Sequence, residues 1–250
     1  LLKLKYYGTL FLLLCLFTPL QADMVRAAVA ANFSHAMKSI ANEFEKDSGY
    51  QIQLVFGSSG KLYAQIMNGA PYQVFLSADT TKPQKLEQEG RALAGSRFTY
   101  ARGSLVLWSA NPDTISNDYS RLTLGDFRYI AVANPRLAPY GVAAREVMEY
   151  INLWHKLKHK LVTGENISQT YQFVSTGNAE LGFVALSQVI HEGKIKTGSG
   201  WIVPQDYHAP ILQDAVLLMS GKDNPAALAL MEYLRSDKAV ALINSFGYRL

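Results

Sequence analysis

Two serines, two glycines and a lysine fall together in Phe56-Gly57-Ser58-Ser59-Gly60-Lys61-Leu62. Such residues offer two chemistries. If the stretch joins a strand to a helix, the free N–H groups of the first helical turn and the hydroxyls beside them form an anion site. If Ser58 is instead paired with Lys61 one helical turn on, the S-x-x-K spacing suits a serine nucleophile of the penicillin-recognising kind. Lys196-Thr197-Gly198 would then supply the matching K-T-G. The acyl-transfer reading is the weaker of the two. Gly60 sits in the turn that would have to hold the pair rigid, and Lys196 to Gly200 has the composition of a loop. The third signature, S-D-N, is missing, since Ser116-Asn117-Asp118 carries the same residues in another order.

Three further loops share the character of the first. Ala31-Asn32-Phe33-Ser34, Pro139-Tyr140-Gly141 and Gly164-Glu165-Asn166-Ile167 each stand where an apolar run gives way to a helical pattern, and each offers N–H groups. Taken singly, Asn32, Ser59 and Asn166 are ordinary helix caps, which these residue types favour. Taken together, four such loops can gather at the strand ends of an α/β sheet, where ligand crevices form. No lysine is needed there. A hydrogen bond to a charged acceptor contributes about 1.5–3 kcal/mol, and a partly buried helix N-terminus adds up to ~2 kcal/mol. Several such donors closed off from water hold an oxyanion at roughly micromolar affinity or better. Lys61, a few residues into its helix, is expected to send its head group to solvent.

Other constellations carry less. His155 and His159 have the i, i+4 spacing of a metal pair, but Lys156, Lys158 and Lys160 surround them, so a solvated basic helix end is expected. Gly60-Lys61 is followed by leucine, which excludes a Walker A loop, and there is no G-x-G-x-x-G. Trp108, Trp154 and Trp201 each lie in apolar runs and are expected in the core.

The elements that would position the four loops follow a repeated βα rhythm. Val25 to Val29 and residues 51–56 are strands, each followed by a helix, and Val74 to Leu76 is a short buried strand; Asp79 caps the helix after it. The rhythm restarts after Leu105 to Trp108, with strands at Ile130 to Ala133, Leu161-Val162, Leu181 to Ala185 and Trp201 to Val203. Ala215 to Met219 is a last strand, and helices follow at about 224–235 and 238–246. This predicts an α/β protein of two lobes, each a mostly parallel sheet flanked by helices, joined by crossover strands near 105 and 216. One lobe takes 23–102 and 213–250, the other 103–212.

The first 22 residues have a different composition. Lys3 and Lys5 precede the apolar run Leu10 to Phe17, then Pro19 and a small residue, Ala22, which is the pattern of a secretory leader. Cys15, the single cysteine, falls inside it, so no disulfide is expected in the mature chain. The formal charge of +4 drops to +2 when the two leader lysines are removed. So small a surplus argues against a nucleic-acid partner. Hydrophobic residues make up 49% of the chain and charged ones 18%, which suits a large core and excludes a disordered chain.

Ala30-Ala31-Asn32-Phe33, the Gly57 to Leu62 stretch, Gly69-Ala70-Pro71 with Val74 to Asp79, and Gly182-Phe183-Val184 come in the order found in periplasmic molybdate-binding proteins. Phe246-Gly247-Tyr248 fits the same pattern. The chain resembles that family over residues 24–250. The resemblance implies a type II periplasmic-binding-protein fold and a monomer that captures molybdate or tungstate between its lobes in the periplasm. It would deliver the ion to the membrane permease of an ABC transporter, with no catalytic residue and no cofactor beyond the ligand itself. Carried over position by position, Asn32 and Ser59 would meet the ligand through side chain and N–H. Tyr140 and Ile167 would do so mainly through N–H, and Ala31 and Ser58 would flank the site. Sulfate is the alternative ligand. Some members carry a ligand-binding tyrosine where this chain has Ala185; either the Asn32 amide or a donor that the sequence does not mark would replace that hydroxyl.

Overall fold

The computed structural model describes residues 24–249; the expected leader, with Cys15, lies outside them. The first pass of the chain builds β1 (Met24–Ala30), α1 (Ser34–Ser48), β2 (Gln51–Gly57), α2 (Ser59–Met67), β3 (Val74–Leu76), α3 (Thr81–Gln88) and β4 (Phe98–Gly103). After Ser104 a second pass begins. It contains β5 (Leu105–Ser109), α4 (Ser120–Leu124), β6 (Ile130–Ala133), α5 (Pro139–Tyr150), α6 (Trp154–Leu157), β7 (Leu161–Gly164), α7 (Ile167–Ser175), β8 (Leu181–Ala185), a small hairpin of β9 (Ile190–His191) and β10 (Lys194–Ile195), and β11 (Ser199–Ile202). The chain then returns through β12 (Ile211–Leu217) and closes with α8 (Pro225–Tyr233) and α9 (Asp237–Ser245).

Two five-stranded sheets result, ordered β2-β1-β3-β12-β4 and β11-β5-β8-β6-β7. In the first, β1 runs parallel to β2 and β3, while β12 is antiparallel to both its neighbours. In the second, β6 is parallel to β7 and β8, while β5 is antiparallel to β8 and β11. The ladders are thus more mixed than the βα rhythm alone predicts. Neighbouring parallel strands need a crossover connection, which a helix supplies between β1 and β2 and between β6 and β7. The antiparallel pairs involve β5, β11 and β12, which stand next to the two passages between sheets.

Helices cover both faces of each sheet. α1 buries Ala36, Met37, Ile40, Ala41 and Phe44 along one stripe and ends at Gly49, whose φ of 74° suits glycine and whose N–H donates to Glu45 O at 3.0 Å. That stripe packs with Leu230 and Met231 of α8 and Ile243 of α9, while Leu62, Ile66 and Leu86 cover the opposite face. In the second sheet Ala143, Ala144, Val147 and Met148 of α5 pack on Ile130, Val132 and Phe183. Val174 of α7 meets Val106, Trp108 and Val184 on the other side. Trp108 and Trp201 are core residues as expected, and Trp154 is half-buried against the same core. The α5 cluster also takes in Ala30, Ala31 and Ala78 from loops of the first sheet. The strand ends of the two sheets therefore pack against each other, with the four loops between them.

Candidate functional site

The four loops leave from strands paired two by two. Ala30 pairs Gly57 at the last rung of the β1–β2 ladder, and Ala133 pairs Gly164 at the last rung of β6–β7. Each sheet thus presents two adjacent parallel strands ending at one level, with helix N-termini above them. Ser59 is the first residue of α2, Tyr140 the second of α5 and Ile167 the first of α7. Ala31 and Asn32 form a short 3-10 turn leading into α1. N–H groups in a first turn have no acceptor within their own helix, and those of Ser59, Tyr140 and Ile167 have no other backbone acceptor.

The small cavity between the loops is lined by Ala31, Asn32, Ser58, Ser59, Asn166 and Ile167, with Ala30, Gly57, Ala78, Ala138 and Pro139 forming the rest of the wall. Among the described residues, no charged side chain lines it. Its volume is about 10 Å³ measured to the centre of a water-sized sphere, which leaves no room for a hydration shell. Anything bound here must exchange its water for the donors in the wall.

Those donors have distinct surroundings. Ser59 Oγ accepts from the Ala78 N–H at 2.9 Å, which leaves the hydroxyl proton free to donate elsewhere. Ser58 Oγ is buried and has no partner among the described residues. An orphaned buried hydroxyl is rare, because a missing hydrogen bond costs about 1–3 kcal/mol. Asn166 is the helix cap that its residue type suggests: its Oδ1 accepts from the N–H groups of Ser168 (2.9 Å) and Gln169 (3.0 Å).

Of the six residues expected at the site, five line the cavity. Tyr140 does not line it: it follows the lining residue Pro139 in the first turn of α5, and its ring is buried. Asn32 differs from expectation in one respect. Its Nδ2 donates one proton to Gln213 Oε1 (2.8 Å) and the other to Tyr248 Oη (3.0 Å). The amide N–H pair is fully used within the protein, so the side chain does not replace the hydroxyl missing at Ala185. Ser58 Oγ, with no competing partner, is the donor left to take that part. Ala185 itself is buried, and its N–H meets Gln188 Oε1 at 3.0 Å.

Lys61 also departs from expectation. Its Nζ lies 2.6 Å from Glu165 Oε1, so α2 of one sheet is tied to the loop before α7 of the other, with both side chains about half exposed. The same closure is made by backbone, where the Gly60 N–H donates to Leu137 O at 2.8 Å. A Cβ at Gly60 would stand 3.0 Å from Leu137 Cα and O, so a side chain there would push the lobes apart. Ser168 Oγ to Ala31 O (3.2 Å) and Ser187 Oγ to Asn32 O (2.9 Å) also bridge the cleft.

Both alternatives raised by motif lose their geometry. With Lys61 held by Glu165 and Ser58 Oγ without a partner, the nucleophile has no base. His155 lies in α6 and His159 in the following 3-10 turn, and no group of three or more metal-ligating side chains occurs among the described residues. Sequence reasoning missed Gln213, Tyr100 and Ser187, which hold the Asn32 and Tyr140 loops from behind. Their bonds to Asn32, Tyr140, Tyr248 and one another span 61 to 181 positions in sequence, and no local pattern marks them.

Comparison with known proteins agrees with this geometry. Residues 25–249 match the family described as bacterial extracellular solute-binding protein. A molybdate-binding protein ModA of Azotobacter vinelandii is 55% identical over 230 residues, covering 92% of this chain and 91% of that one. A ModA of Rhodobacter capsulatus is 48% identical, covering 96% and 93%. The solved structure of an Azotobacter vinelandii periplasmic molybdate-binding protein superposes with a TM-score of 0.88 at 42% identity, covering 90% of this chain and 99% of that one. The chain belongs to the bacterial extracellular solute-binding protein family.

Proposed function

We propose that this protein captures molybdate or tungstate in the periplasm, between its two lobes, and hands it to the membrane permease of an ABC transporter. The observation that carries the reading is the small cavity without charged side chains, where Ser58 Oγ has no partner and three helix N-termini converge. Uncharged donors suit a fully ionised tetrahedral dianion. They supply directed N–H and O–H groups, and they carry no proton whose loss would alter the site near neutral pH. In this reading the oxygens of the ion meet the N–H groups of Ala31, Asn32, Ser59, Tyr140 and Ile167 and the hydroxyls of Ser58 and Ser59. The relatives named as molybdate-binding proteins, at 55% and 48% identity, favour molybdate over sulfate as the anion.

A thermal-shift panel of molybdate, tungstate, sulfate and phosphate tests this. Ligand at a hundred times its Kd adds about 2.7 kcal/mol of stability, which for a chain of this size raises Tm by roughly 5–10 °C. The shift is expected with molybdate and tungstate. Its absence at concentrations far above micromolar overturns the proposal, and a larger shift with sulfate changes the ligand.

A further inference from the structure

Gln213 touches both halves of the site without lining the cavity. It lies on β12, the strand by which the chain returns to the first sheet, and is fully buried. The pairing of β12 with β4 shifts register here: Gln213 opposes Ala101, and Asp214 opposes Thr99. The irregularity leaves Tyr100 out of the ladder, as bulges do when they re-aim a side chain. The Tyr100 hydroxyl then donates to Gln213 Oε1 at 3.0 Å. The same Oε1 accepts from Asn32 Nδ2 at 2.8 Å, and Gln213 Nε2 donates to Tyr140 Oη at 3.3 Å. Gly103 on β4 makes this possible, because a Cβ there would overlap Tyr140 Oη and stand 2.7 Å from Gln213 Nε2.

We infer that Gln213 is a positioning residue for oxyanion binding, its one amide fixing the Asn32 loop of the first lobe against the α5 N-terminus of the second. The inference rests on the function proposed above. A primary amide suits the task, since it accepts at one end and donates at the other without bringing charge near an anion. Asn32 lines the cavity from one lobe, and Tyr140 follows Ala138 and Pro139, which line it from the other. Gln213 bonds both side chains in this arrangement of the lobes, so it ties ligand capture to their contact at the strand about which they are joined.

The test uses Gln213→Met, which keeps most of the volume and removes both kinds of bond. Tyr140→Phe is the second variant; it removes only the hydroxyl that Nε2 meets and leaves the Tyr140 N–H in place. Calorimetry with molybdate, tungstate and sulfate on the unaltered chain selects the ion that binds most tightly, and that ion is carried to the variants. Gln213→Met is expected to weaken binding about tenfold or more, and Tyr140→Phe a few-fold. The double variant should be no weaker than Gln213→Met alone, because both changes break one bridge. Small-angle scattering should show the ligand-induced contraction reduced in Gln213→Met. A lowered Tm with unchanged Kd would make the amide an ordinary core hydrogen bond and overturn the inference. If Gln213→Met fails to fold, an unchanged Kd in Tyr140→Phe overturns it equally. Failure of all three ions to bind the unaltered chain refutes the functional reading and this inference with it. Tight binding that neither variant alters refutes the inference alone.

Discussion

Removing the Ser58 hydroxyl should have opposite effects on stability and on affinity. In the closed protein Ser58 Oγ is buried without a partner, whereas Ser59 Oγ already accepts from the Ala78 N–H. Ser58→Ala deletes a buried polar atom that contributes no internal bond, so the ligand-free protein should keep or gain stability, by up to about 1 kcal/mol. In the proposed complex the same hydroxyl would donate to a charged oxygen, a bond of about 1.5–3 kcal/mol. Its loss should raise the molybdate Kd roughly 10- to 150-fold. Urea unfolding without ligand and calorimetric titration of the same preparation measure the two effects. A Kd within about twofold of the unaltered chain would remove Ser58 from the ligand shell. A clear loss of ligand-free stability would mean that the hydroxyl has a structural partner, and the argument from its isolation would fail.

Three other expectations bear on the same site. Ser59→Ala should lower both quantities, because it strands the Ala78 N–H and takes a donor from the ligand; a loss of about 1–3 kcal/mol in urea unfolding and about 1–3 kcal/mol in binding is expected. Lys61→Ala breaks a half-exposed pair with Glu165, so affinity should fall by less than about fivefold and the effect should shrink in high salt; a loss beyond about fiftyfold would mean that Lys61 meets the charge of the ligand. Burial pushes the hydroxyls of Tyr100, Tyr140 and Tyr248 well above the ordinary phenol value of 10.0. A raised folded-state pKa contributes stability that is complete below about pH 10 and is lost as pH rises further, while ligand affinity should stay flat around neutrality; a midpoint of unfolding unchanged at strongly alkaline pH would contradict this.

The parts of the site that were legible in the sequence are those set by local pattern. A strand of alternating apolar residues that ends at Gly57 and restarts as a helix at Ser59 places N–H groups in one direction whatever the tertiary context. The same holds for Asn166, a cap by residue type and a cap in the structure. The α/β class followed from the βα rhythm, and the resemblance supplied the two-lobed closure. What escaped was decided by partners far along the chain. The Asn32 amide looked available until Gln213 and Tyr248, 181 and 216 positions away, took both of its protons. The Lys61 pair was invisible because Glu165 stands on the other sheet, far along the chain. β4 has no clean alternation, Phe98-Thr99-Tyr100-Ala101-Arg102-Gly103, because its register breaks opposite Gln213 and Asp214. The side chains that carry the polar contacts between lobes were therefore the least visible in one dimension.

The most direct measurement is a calorimetric titration of residues 23–250 with molybdate in the presence of a large excess of sulfate. The account predicts one ion bound per chain, with a Kd that is roughly micromolar or tighter and little changed by the sulfate. Absence of binding, or displacement of molybdate by sulfate, would contradict it.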